Sequence, residues 1–102
     1  MTAQTTQPAS LPWLEKLIAI PTISGSSNLE LIELLETEFA RYGYSGVRTY
    51  NEDGTRANLF ITVPAADGTT RGGLILSGHT DVVPVAGQDW DADPFTLRVE
   101  GT

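Results

Sequence analysis

Apolar and polar positions alternate along the chain in two periods, and each predicts its own elements. Between Trp13 and Ile20 the apolar residues Trp13, Leu14, Leu17, Ile18 and Ile20 recur at the spacing of a short helix lying on a core. Ser10 is placed to cap that helix, with Pro12 near its first position and Glu15 in its first turn. Pro21 ends it, because the residue before a proline is pushed out of the helical region. A longer pattern follows. Leu31, Leu35, Phe39 and Tyr42 line one helical face from Asn28, its N-cap, to about Tyr42, and Ile32 and Leu34 widen the stripe. Glu30, Glu33, Glu36 and Glu38 fall largely outside it, as a solvated face does. Gly43 supplies the left-handed C-cap.

Beyond Gly43 the period shortens to two. Val47–Tyr50 and Asn58–Val63 read as strands, the second with Leu59, Ile61 and Val63 on one side, and Asn51-Glu52-Asp53-Gly54 between them is a turn by composition. Phe95, Leu97 and Val99 alternate with Thr96, Arg98 and Glu100 as a half-buried strand. One run has no alternation: Leu74-Ile75-Leu76 has the composition of a strand covered on both faces. Two helices with at least three strands around a central buried one place the fold in the α/β class.

That central run delivers the candidate chemistry. It breaks at Gly78 and presents His79, the only histidine, with Asp81 two residues later. Side chains at i and i+2 of an extended segment face the same way, so both can address one site at the end of the strand. Open α/β sheets usually place their sites at the carboxyl ends of strands. An imidazole suits zinc, and a metal-bound imidazole normally gives its other N–H to a carboxylate or carbonyl. The plain alternative for Asp81 is a turn-capping carboxylate. Thr22–Ser27 has the composition of a phosphate cradle, but no strand precedes it, and a connector is the better reading. Asp89, Asp91, Asp93 and Glu100 fall on a calcium-loop spacing, yet Pro94 stands where the loop's sharp turn needs glycine. A polar turn anchored by Trp90 and Phe95 is expected instead.

Composition narrows the partners. The 13 acidic and 6 basic residues leave a net charge of −7 with no basic cluster, which argues against nucleic acid and anionic membrane. There is no cysteine, hence no disulfide framework or thiolate metal site. Residues 1–10 are expected to be a disordered tail without the basic start or apolar core of a signal peptide, and no run approaches a membrane span. A soluble cytoplasmic protein is the expectation, and 102 residues allow at most one small domain.

Ser77-Gly78-His79-Thr80-Asp81-Val82-Val83-Pro84, followed by Trp90-Asp91-Ala92-Asp93-Pro94-Phe95, resembles the first metal motif of the M20 family of zinc-dependent peptidases and deacylases. Pro21-Thr22-Ile23-Ser24, Ser27-Asn28-Leu29 and Asn51–Leu59 resemble one amino-acid-deacylating subgroup, and the likeness covers about residues 11–102. What the resemblance implies is the N-terminal portion of a zinc-aminopeptidase-like catalytic domain, with helices on a mixed sheet. It further implies a hydrolase that uses two zinc or cobalt ions to remove an acyl group from an amino-acid amine. His79 would be a ligand of one ion and Asp81 the catalytic-site carboxylate that orients it. The family's bridging aspartate, Glu-Glu pair and remaining ligands have no counterpart here, nor has its lid and dimerisation domain. A homodimer is therefore expected of a full-length enzyme only, and this stretch is expected to be inactive alone. The substrate implied is a small N-acyl amino acid. The rival readings are a succinyl-diaminopimelate or other peptidase substrate, and a non-enzymatic α/β module.

Overall fold

A computed structural model of the chain describes residues 7–101. Residues 1–6 of the expected tail lie outside them. The elements in order are α1 (Ser10–Ala19), α2 (Leu29–Arg41), β1 (Gly46–Tyr50) and β2 (Ala57–Ile61). The described residues divide into two compact units, residues 22–83 and residues 7–21 with 84–101. No helix among the described residues is long and apolar enough to cross a membrane.

In the unit formed by residues 22–83, α2 and an antiparallel pair of strands surround a small core of Leu31, Ile32 and Ala57. Leu34, Leu35 and Phe39 are half-buried beside them, but Tyr42, expected on the same stripe, is exposed. Gly43 closes α2 as expected. It has φ 86°, its N–H reaches the Ala40 carbonyl at 3.0 Å, and Tyr44 N–H reaches the Phe39 carbonyl at 3.0 Å, the paired bonds of a Schellman cap. The strands pair Gly46 with Ile61, Arg48 with Leu59 and Tyr50 with Ala57. Glycine at position 46 is a packing requirement, since a Cβ there would lie 2.5 Å from Leu59 Cδ1 and 3.1 Å from Ile61 Cγ1. Leu59 and Ile61 face inward as their alternation predicts, whereas Val63 lies beyond the strand and is exposed. The turn is tied by its first residue: Asn51 Oδ1 accepts from Arg56 N–H at 2.9 Å, and Gly54 takes φ 70°.

Polar groups join helix to sheet. Arg48 projects from the inner face of β1, and its Nε donates to both carboxylate oxygens of Glu36 at 2.9 Å, with a further bond from Nη2. The guanidinium holds the Glu36 carboxyl below the usual range. Asn28 precedes α2 as expected, but its side chain does not cap the helix. The carboxamide instead brackets the start of β2, accepting from Ala57 N–H and donating to the Ala57 carbonyl, both at 2.9 Å. Ser27 Oγ takes the Leu29 N–H at 3.2 Å. Asn28→Ala would strand two main-chain groups of a buried residue, a loss expected to cost about 1–3 kcal/mol. Chemical denaturation of the two proteins measures it, and an unshifted midpoint would show that the bracket contributes nothing.

Two expected strands do not form. Leu74-Ile75-Leu76 belongs to no helix or strand and pairs with neither β1 nor β2, and its side chains are 84%, 78% and 87% exposed. A strand is stabilised by ladder partners and by cover on its faces, and among the described residues this run has neither. The sheet is accordingly two-stranded and antiparallel rather than mixed around a central strand. Phe95–Val99 also lacks a partner. Phe95 and Leu97 are half-buried and Val99 is exposed, so part of the alternation survives without the strand. Two helices with this sheet still make a small α/β structure.

The other unit carries α1 and the loop from Pro84. Ser10 is the first helical residue rather than the cap; Ala9 holds the cap position and offers no side-chain bond. Ile20, before Pro21, is extended at φ −93°, ψ 110°, as the proline demands. Trp13, Leu17 and Ile18 are half-buried and Leu14 is exposed. The acidic run forms a turn. Asp93 Oδ1 accepts from Phe95 N–H at 2.9 Å and its carbonyl from Thr96 N–H at 3.2 Å, with Pro94 at the corner. Trp90, expected to anchor that turn, is exposed.

Candidate functional site

The site lies where two extended segments of the 22–83 unit meet. Ile23 and Val82 form a parallel bridge, with Val82 N–H donating to the Thr22 carbonyl at 2.9 Å and Ser24 N–H to the Val82 carbonyl at 2.8 Å. The connector between the helices is thereby stitched to the histidine segment. Thr80 turns to the half-buried side, its carbonyl accepting from the buried Thr22 hydroxyl and its own hydroxyl from Asn28 Nδ2 at 3.4 Å. With Thr80 so held, the alternation of an extended chain puts His79 and Asp81 together on the other side.

There the pair meets as the sequence predicts. Asp81 Oδ1 lies 2.9 Å from His79 Nδ1, and the Asp81 carbonyl oxygen lies 3.1 Å from the same nitrogen. Both are acceptors, so the neutral ring carries its proton on Nδ1 and leaves Nε2 with a lone pair. No hydrogen bond among the described residues engages Nε2. The side chains are exposed, 83% for His79 and 61% for Asp81. The other oxygen of Asp81, Oδ2, accepts from Ser24 Oγ at 2.8 Å. That hydroxyl chiefly, and then the imidazole, holds the Asp81 carboxyl below the usual carboxylate range, so it is anionic at neutral pH.

Sequence reasoning finds His79 and Asp81 but not Thr22, Ser24 or Asn28, which hold them in place. Read as a connector and a cap, those three have no local pattern that announces contacts 29 to 58 residues away. A zinc or cobalt ion suits an imidazole with an open Nε2, but a zinc site takes three or four protein ligands. Among the described residues no group of three or more His, Cys, Asp or Glu side chains could hold a metal. His79 and Asp81 by themselves therefore do not complete a metal site.

No family model matches the chain, and no solved structure matches it. Two of the curated proteins that do match are named acetylornithine deacetylase. An acetylornithine deacetylase of Salmonella arizonae is 44% identical over 87 residues, covering 79% of this chain and 22% of that protein. An acetylornithine deacetylase of Salmonella paratyphi B matches with the same identity and coverage. The resemblance carried by the motifs is thus borne out as homology to part of acetylornithine deacetylase, consistent with a piece of an M20 enzyme. The chain spans about a fifth of the length of these relatives.

Proposed function

We propose that these residues form the N-terminal part of a metal-dependent deacetylase that removes the acetyl group from N-acetylornithine. The observation that carries the proposal is the pairing of His79 Nδ1 with Asp81 at 2.9 Å inside a sequence 44% identical to acetylornithine deacetylases. In this reading His79 would offer Nε2 to one of two zinc or cobalt ions, and Asp81, bonded to Nδ1, would hold the ring in that orientation. When bound, such a pair of ions polarises the amide carbonyl and activates the attacking water. The imidazole contributes one ligand, and the carboxylate keeps the proton on Nδ1 so that Nε2 stays available.

The test uses the full-length protein that carries this sequence. Hydrolysis of N-acetylornithine is expected with zinc or cobalt. Asp81→Ala, which frees the ring, is expected to lower metal affinity or activity about 10–100-fold, and His79→Ala to cost more. Preference for N-succinyl-diaminopimelate would move the assignment to the sister activity. Full activity in His79→Ala would end the proposal.

A further inference from the structure

We infer that Ser24 is the positioning residue of the His79–Asp81 pair: its hydroxyl pins the Asp81 carboxylate and so keeps the imidazole proton on Nδ1, with Nε2 presented outward. The inference rests on the metal-binding reading only for the use made of Nε2; the arrangement itself stands on the geometry.

Among the described residues, Ser24 is the one other side chain that bonds the pair directly. Both side chains are largely in solvent, so packing does not fix their rotamers. A carboxylate turns freely about its terminal torsion, which is broad and roughly two-fold. A hydrogen bond at one oxygen leaves that rotation cheap, whereas bonds at both oxygens remove it. Ser24 supplies the second bond, at 2.8 Å to Oδ2, while Oδ1 faces the ring at 2.9 Å. Its own backbone is anchored to the segment that carries the pair, through the 2.8 Å bond from Ser24 N–H to the Val82 carbonyl. The hydroxyl does have a competing acceptor, the Val82 carbonyl at 3.2 Å. The carboxylate contact is shorter and charge-assisted, and it wins. The Asp81 carbonyl, 3.1 Å from Nδ1, accepts the same ring proton. Loss of Ser24 should therefore weaken the tautomer preference without abolishing it.

In the metal-free, 15N-histidine-labelled full-length protein that carries this sequence, the pair of ring signals that disappears in His79→Asn belongs to His79. The 15N shifts of the neutral ring report the ratio of Nδ1–H to Nε2–H forms. The wild-type ratio should favour Nδ1–H. Ser24→Ala should reduce that ratio about two- to tenfold, the equilibrium worth of one ordinary hydrogen bond. Ser24→Thr, which keeps the hydroxyl, should restore it. The Val82 amide signal reports whether the segment bridge persists in each variant. An unchanged ratio in Ser24→Ala, or an Nε2–H majority in the wild type, would overturn the inference. So would a ratio that falls equally in Ser24→Thr and Ser24→Ala together with loss of the Val82 bridge, because that marks a purely structural role. Failure of the deacetylase reading appears elsewhere, as absent turnover by the full-length protein, and leaves the tautomer ratio untouched.

Discussion

A polypeptide of these 102 residues, supplied with zinc or cobalt, is expected to hydrolyse N-acetylornithine no faster than buffer. Two-metal hydrolysis needs both ions clamping the water and the carbonyl, with a base to accept the proton. The chain contains one histidine and no cysteine, and its described carboxylates assemble no group of three with it. Asp81 could become a second ligand only by releasing His79 Nδ1 and the Ser24 hydroxyl, which would unfix the first ligand to gain the second. Metal binding should accordingly be weak and non-stoichiometric in calorimetry. Turnover that disappears in His79→Ala would overturn the expectation. A tight one-to-one zinc complex at neutral pH would show that other carboxylates, Asp89 to Asp93 first among them, complete a site.

What could be read in the sequence follows the range of the forces involved. The helices and the β1–β2 turn were legible because their causes are local: the apolar stripe from Leu31 to Phe39, the glycine at position 43, the proline at 21 and the asparagine at 51. The His79–Asp81 pairing was legible for the same reason, since an i, i+2 relation needs only an extended backbone. The support for that pairing was not. Ser24 and Asn28 are residues that turns and caps use everywhere, and nothing in their neighbourhood says that one will reach Asp81 and the other Ala57. Leu74–Leu76 and Phe95–Val99 failed in the opposite direction. Their composition states what environment they would suit, but a strand exists only when a partner supplies the other half of each hydrogen bond.

That mismatch sets the last expectation: the isolated chain should be marginally stable and prone to self-association. Leu31, Ile32 and Ala57 are the buried apolar residues among those described, a small core for 102 residues. Apolar burial at ~25 cal/mol per Å² must offset roughly 1.5 kcal/mol of ordering entropy per residue, a balance that small domains barely achieve. Meanwhile Leu74, Ile75 and Leu76 stand in water, and among the described residues no third strand covers an edge of the two-stranded sheet. Consecutive exposed apolar residues and open edges both recruit other copies. Light scattering should therefore show concentration-dependent association. Ile75→Lys should reduce it without lowering the unfolding midpoint, because the isoleucine buries little and a lysine in such a run acts as a gatekeeper. Equal association by the two proteins would clear this segment of responsibility. A monodisperse wild-type chain with a sharp, reversible thermal transition would refute the expectation outright and favour an autonomous α/β module over a piece of a larger enzyme.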